Sequence, residues 1–249
     1  MISKFERRFI LEILPSIILP LIRSGHLTAE HLLEPAVARK IVARRTRFAI
    51  KRMQWCVAPE IGFSQSADKL WKQNDKTEAI VLLAVALEQC VNSCLRLALE
   101  AKGNSSAHVT ELIRTQNIDP KLTWFFELSS GVRFPKQLRK RTKQIFDIRN
   151  SIVHFKCVFA HPDTEEDSYS KVMKEIKSLG RFRLYSFYLG FQGFCWDVIC
   201  RCDPEIKLAV ELSSVLLVPK QPAKLDASHR QRLPRLLLEV QNGKMKIVK

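Results

Sequence analysis

The chain has 249 residues and carries 41 Lys and Arg against 25 Asp and Glu, a net charge of +16. Its 46% hydrophobic content excludes a wholly disordered chain, and 8 Gly with 11 Pro exclude collagen-like or low-complexity sequence. The charge predicts an anionic partner, nucleic acid or an acidic membrane surface, and the length allows one domain with extensions or two small ones.

The N-terminus is basic at Lys4, Arg7 and Arg8 and apolar from Phe9 to Ile22. Glu12 interrupts that run, Pro15 and Pro20 break it, and no small-x-small cleavage pattern follows, so no secretory signal is expected. A membrane-spanning helix needs about 20 apolar residues, more than the run supplies. These features predict a soluble, cytoplasmic protein. Between Glu34 and Glu60 stand seven cations and no acid: Arg39, Lys40, Arg44, Arg45, Arg47, Lys51 and Arg52. With Val37, Ile41, Phe48 and Trp55 as an apolar stripe, this is a basic amphipathic helix suited to nucleic acid or an anionic membrane. A solvated charged face is the plainer alternative. Residues 1–74 are read as a basic helical N-terminal extension.

Helical periodicity dominates the middle of the chain. From Lys76 to Ala101, Ile80, Leu83, Leu87, Val91, Cys94, Leu95 and Ala98 recur at steps of three and four, and Gly103-Asn104 stops the pattern. A second helical stretch runs from His108 to Ser129, broken near Asp119-Pro120. A third runs from Pro135 to Phe155, with Leu138, Ile145, Ile148 and Ile152 on one side. An acidic loop follows at 161–167. Ser168 or Ser170 then caps a long fourth helix ending near Cys202. Residues 75–202 therefore predict an all-α, up-down four-helix bundle. Residues 203–249 are read as a basic C-terminal tail, with Leu212 to Val218 as a candidate strand and Met245 to Val248 as a weaker one.

Seven cysteines, an odd number, stand mostly in apolar surroundings, which predicts buried free thiols in a reducing compartment. Cys200-Arg-Cys202 is too tight for a zinc knuckle, and no second pair matches it. No Gly-rich phosphate loop, GxSxG elbow or HExxH is present. No metal and no cofactor are expected.

A second acid-free basic run lies between Glu127 and Asp147: Arg133, Lys136, Arg139, Lys140, Arg141 and Lys143. Cations at that density suit a phosphate backbone. RNA contact is expected here and at Arg44, Arg45 and Arg47. The third helix then ends in Arg149, Asn150 and His154. With 20 Arg and 6 His in the chain, about half an Arg-x4-His match arises by chance; requiring Asn after the Arg lowers this to about 0.01.

Arg149, Asn150 and His154 match the motif of the HEPN superfamily: Arg, a polar residue, three to five further residues, then His, on the third helix of a bundle. Ala86-Leu87-Glu88 on the first bundle helix is also similar to that family's opening helix. The resemblance covers residues 75–202, about half the chain. It implies a metal-independent endoribonuclease of the toxin or antiphage-defence kind, with a composite site in a homodimer and a possible antitoxin partner, and no membrane. Inactive relatives that bind nucleic acid or protein are the alternative. Some HEPN toxins carry a Tyr two residues after the His; here that position is Lys156, which argues against a nucleotidyltransferase antitoxin.

The chemistry of such a site follows from its residue types. Metal-free RNA cleavage uses the 2′-OH as nucleophile, and His154 is poised near neutral pH to move its proton. The Arg149 guanidinium can hold two oxygens of a phosphorane, and the Asn150 amide can orient the imidazole or a phosphate. Glu88 would support Arg149. The same residues admit plainer roles. His154 can be a cation on a helix C-terminus, Arg149 can pair with Asp147 or Glu88, and Asn150 and Glu88 can be solvated. The aromatic run from Phe182 to Trp196 has helical spacing, which suits a core or dimer interface better than base stacking.

Overall fold

In the computed structural model, residues 17–52, 59–153, 168–180 and 182–217 are described. Every regular element among them is a helix, so the protein is all-α. In chain order the helices are α1 (residues 17–23), α2 (Ala29–Leu33), α3 (Pro35–Arg52), α4 (Pro59–Lys72), α5 (Lys76–Ala101), α6 (Ser106–Thr115), α7 (Ile118–Lys121), α8 (Trp124–Ser130), α9 (Lys136–Val153), α10 (Ser168–Ser178), α11 (Leu184–Cys202) and α12 (Pro204–Leu217). The chain divides into two compact units, one of residues 57–198 and one of residues 1–56 with 199–249.

The unit of residues 57–198 is built around α5, whose bounds match the expected helix. Asn74 ends α4 with a positive φ of 73°, and the Asp75 amide returns to the Leu70 carbonyl at 2.9 Å, so the chain reverses directly into α5. Eleven α5 residues are buried, among them Ile80, Leu83, Leu87, Val91, Cys94, Leu95 and Ala98. Gly103, at φ 88°, lets the helix stop, and both the backbone and side-chain nitrogens of Asn104 donate to the Leu99 carbonyl. α4, α6, α8 and α9 pack around α5. By length and composition α5 could also cross a membrane, but half of its most apolar window is buried inside the protein, as a core helix requires.

An aromatic cluster closes this core. Phe126 of α8 stacks on Phe194 of α11 at 5.7 Å, while Phe134 lies 4.9 Å from both and 5.5 Å from Phe191. Such pairs contribute about 0.5–1.5 kcal/mol each beyond their buried area. Tyr188 and Phe191 are fully buried, so these rings of the Phe182–Trp196 run form core.

Two expectations for this stretch are corrected. The single fourth helix is two helices, α10 and α11, because Gly180 takes a positive φ of 63° and its amide bonds back to Lys177, ending α10. The stretch from His108 to Ser129 is three helices rather than one broken pair. Ser105 caps α6 by accepting from the His108 amide, and Gly131, at φ 72°, ends α8.

In the unit of residues 1–56 and 199–249, Ile17, Ile18, Leu21 and Ile22 of α1 pack with Leu27, Leu32, and Ala38 and Val42 of α3. Leu208, Ala209 and Leu212 of α12 complete the cluster. Arg23 pairs with Glu205 across it. The expected strand at Leu212–Val218 is corrected: through residue 217 this segment is helix α12. Asp203 Oδ1 caps α12 by accepting from the amides of Glu205 and Ile206 at 2.9 and 3.1 Å, and Pro204 occupies the first turn. Leu208 and Leu212, four apart, then find an apolar partner surface that suits a helix and not an alternating strand. Met245–Val248 lies outside the described residues.

Candidate nucleic-acid interface

The first structural fact about α9 is its buried face. Thr142, Ile145, Phe146 and Ile148 are buried, and α9 packs on α5. Once that face is committed, helical geometry dictates what points outward: Lys136, Lys140, Lys143, Asp147 and Asn150, at steps of four and three, are all exposed. The stripe borders an open groove of about 1290 Å³. Its walls are Lys136, Arg139, Lys140, Arg141 and Lys143 from α9, Asp119 and Thr123 from the α7–α8 region, and Glu175 and Ser178 from α10.

Two cations here have neighbours that hold them, Arg141 and Lys143. Arg141 Nη1 donates to Gln144 Oε1 at 2.8 Å, and its guanidinium sits 5.4 Å from the Phe182 ring. Gln144 in turn donates to Ser178 Oγ at 3.0 Å, tying α9 to α10. Lys143 lies 3.3 Å from Asp119. Both groups of that pair are exposed, so it contributes under about 1 kcal/mol and yields readily to a phosphate. Five cations face three carboxylates in the groove, Asp119, Asp147 and Glu175, which leaves a positive balance.

The residues singled out from sequence are only partly brought together. Arg149 is half-buried, follows the groove-lining Asp147 and Ile148 in the chain without lining the groove itself, and its Nη1 donates to Asn150 Oδ1 at 2.9 Å. Glu88 pairs with Lys121 at 3.5 Å. Lys121, only 3% exposed, was not anticipated; a single Lys at the end of a four-residue helix carries no sequence signal of burial. Arg133 lies outside the groove lining and pairs with Glu127 at 2.8 Å. That hydrogen bond, and then the charge of Glu127, raise the Arg133 pKa above its ordinary value. His154 and Lys156 lie outside the described residues, as do Cys56 and Cys157.

On α3, Arg44 and Arg45 are exposed, and Arg44 lines a hollow of its own within the second unit. Arg47 lies on the same helix. The inward residues of α3 are Ala38 and Val42, one position on from the expected Val37 and Ile41, which are half-exposed. Trp55 lies outside the described residues.

Cys90, Cys94 and Cys195 are buried free thiols, and Cys94 Sγ reaches the Cys195 carbonyl at 3.5 Å. Hydrogen bonds from Cys90 and then Cys94, with burial, hold the Cys195 thiol well above the usual range, so it stays protonated. Among the described residues no group of three or more His, Cys, Asp and Glu is placed to hold a metal ion. No protein-family model, no curated protein and no solved structure matches the chain.

Proposed function

We propose that this chain is a HEPN-like, metal-independent endoribonuclease that binds RNA along α9. The observation that carries the reading is the groove lined by Lys136, Arg139, Lys140, Arg141 and Lys143 and ending at Ile148, on the helix that also carries the Arg149–Asn150 pair. In sequence His154 follows Asn150 by four residues.

The groove cations hold the phosphate backbone. His154 takes the proton of a 2′-OH, the freed oxygen attacks the adjacent phosphorus, and the 5′-oxygen departs with a proton returned by an imidazolium. The products are a 2′,3′-cyclic phosphate and a 5′-hydroxyl. Arg149 holds the phosphorane oxygens as negative charge develops, and Asn150 orients Arg149. Arg149 and His154 are five residues apart, about 140° around an ideal helix, so one copy does not aim both at one atom. A symmetric homodimer with a composite site, in a four-helix HEPN-like bundle, answers that problem. The chain then acts in the cytoplasm as a toxin or antiphage effector. Incubation of single-stranded RNA in EDTA tests the reading. Wild type leaves 2′,3′-cyclic phosphate ends, and Arg149→Lys, which keeps the charge but loses the fork, cuts about 100-fold more slowly. Equal rates for the two proteins contradict it.

One observation favours the alternative of a non-catalytic RNA-binding module: the Arg149 guanidinium is already engaged by Asn150. That module binds RNA with the same salt dependence and yields no cyclic phosphate.

A further inference from the structure

α3 carries a site of its own, separate from the α9 groove. Arg39, Lys40, Ala43 and Arg44 line an open hollow of about 560 Å³. Arg39 is half-buried, and among the described residues its Nε and Nη2 are buried with no hydrogen-bond partner. These two nitrogens form one edge of the planar guanidinium, the edge that grips two oxygens of a phosphate or carboxylate side by side. Arg23 uses the same edge on Glu205. A guanidinium cannot lose its charge, and buried donors left unmatched are destabilising. The edge is covered in the free protein, so an anion completes it only when the side chains over it move aside, and the arrangement then becomes favourable.

We propose that Arg39, with Lys40 and Arg44, is a phosphate-binding site that anchors the backbone of a single-stranded nucleic acid on α3. The helix has no Asp or Glu from Pro35 to Arg52, so no carboxylate of its own competes for the fork. Three cations around one hollow suit a polyanion better than a single carboxylate. A membrane surface would require apolar side chains to enter the lipid beside the cations. On α3 Ala38 and Val42 are used in the core, and the half-exposed Val37 and Ile41 are the apolar residues left beside the cations, so the vesicle arm of the test below decides against lipid.

The test is fluorescence anisotropy of a short labelled single-stranded RNA with the full chain, together with melting of the free protein. The proteins are wild type, Arg39→Lys, Arg39→Met, and a groove variant with Lys136, Lys140 and Lys143 all changed to Gln, with and without Arg39→Lys. Arg39→Lys keeps the charge and loses the fork, and is expected to weaken binding about tenfold in both the wild-type and the groove-variant background. Arg39→Met is expected to weaken it at least as much while the free protein melts at the same or a higher temperature, because an unmatched buried charge is gone. Tight binding by the groove variant that Arg39→Lys still weakens supports this site and removes the α9 reading alone. Unchanged affinity in Arg39→Lys overturns the proposal. So does a lower melting temperature in Arg39→Met, which makes Arg39 a structural residue, and so does binding of wild type to phosphatidylserine vesicles but not to RNA.

Discussion

α3 and α9 are both 18 residues long and similarly rich in cations, yet their surroundings differ. On α9 the charges stand among neighbours from other helices. Arg141 is braced by Gln144, Ser178 and Phe182, and Lys143 by Asp119. On α3 no acid interrupts the run, and Arg39 keeps an unmatched edge. The two units reflect the same contrast. Residues 1–56 and 199–249 hold 21 Lys and Arg against 9 Asp and Glu, whereas residues 57–198 hold 20 against 16. Total charge therefore does not locate the chemistry. Compensated, braced cations give a groove with a shape, which can position a substrate. Cations with no acid on their own helix add attraction, and the Arg39 edge adds a specific geometry to it.

The sharpest way to break this contrast is to loosen α9 without touching a charge. Ile145 is fully buried on the face that packs toward α5. Ile145→Ala should cost about 2–5 kcal/mol in chemical denaturation, and RNA binding should weaken although every cation remains. Undiminished binding would mean that charge alone suffices on α9 as well. Next in size, changing Lys136, Lys140 and Lys143 together to Gln should lower RNA affinity about 100-fold and reduce the salt slope of log K by about 2, since each single-strand phosphate contact contributes about 0.7. Anisotropy across a salt series measures both.

The smallest effect separates two roles for Glu88. Its partner is the buried Lys121, so Glu88→Gln should lower stability by about 1 kcal/mol, a value discounted because Glu88 is 41% exposed. RNA cleavage should stay within about twofold, because a rate depends on Glu88 only if it orients Arg149. A loss of cleavage at unchanged stability would return Glu88 to the site.

Much of the architecture was legible where one element carries its own start, stop and period. α5 is the clear case: 26 residues with an unbroken apolar stripe and a Gly-Asn stop. Legibility fell where tertiary partners decide. Val37–Ile41 and Ala38–Val42 are adjacent apolar stripes on one helix, and the packing of α1, α2 and α12 selects the second. Leu212–Val218 is an apolar run that either period can use, and the Asp203 cap with buried Leu208 and Leu212 makes it helical through residue 217. The cations of the groove were readable as an acid-free window. Its acids were not, because Asp119 and Glu175 arrive from helices far along the chain. Burial of Lys121 left no trace in the sequence at all.

The most direct measurement is the rate of single-stranded RNA cleavage in EDTA by wild type and by His154→Ala, with circular dichroism and native mass confirming that both are equally folded and assembled. The expected result is cleavage by wild type and at least a 1000-fold loss in His154→Ala with RNA affinity retained. Cleavage by His154→Ala at the wild-type rate would contradict the catalytic assignment and leave α9 as a binding surface only.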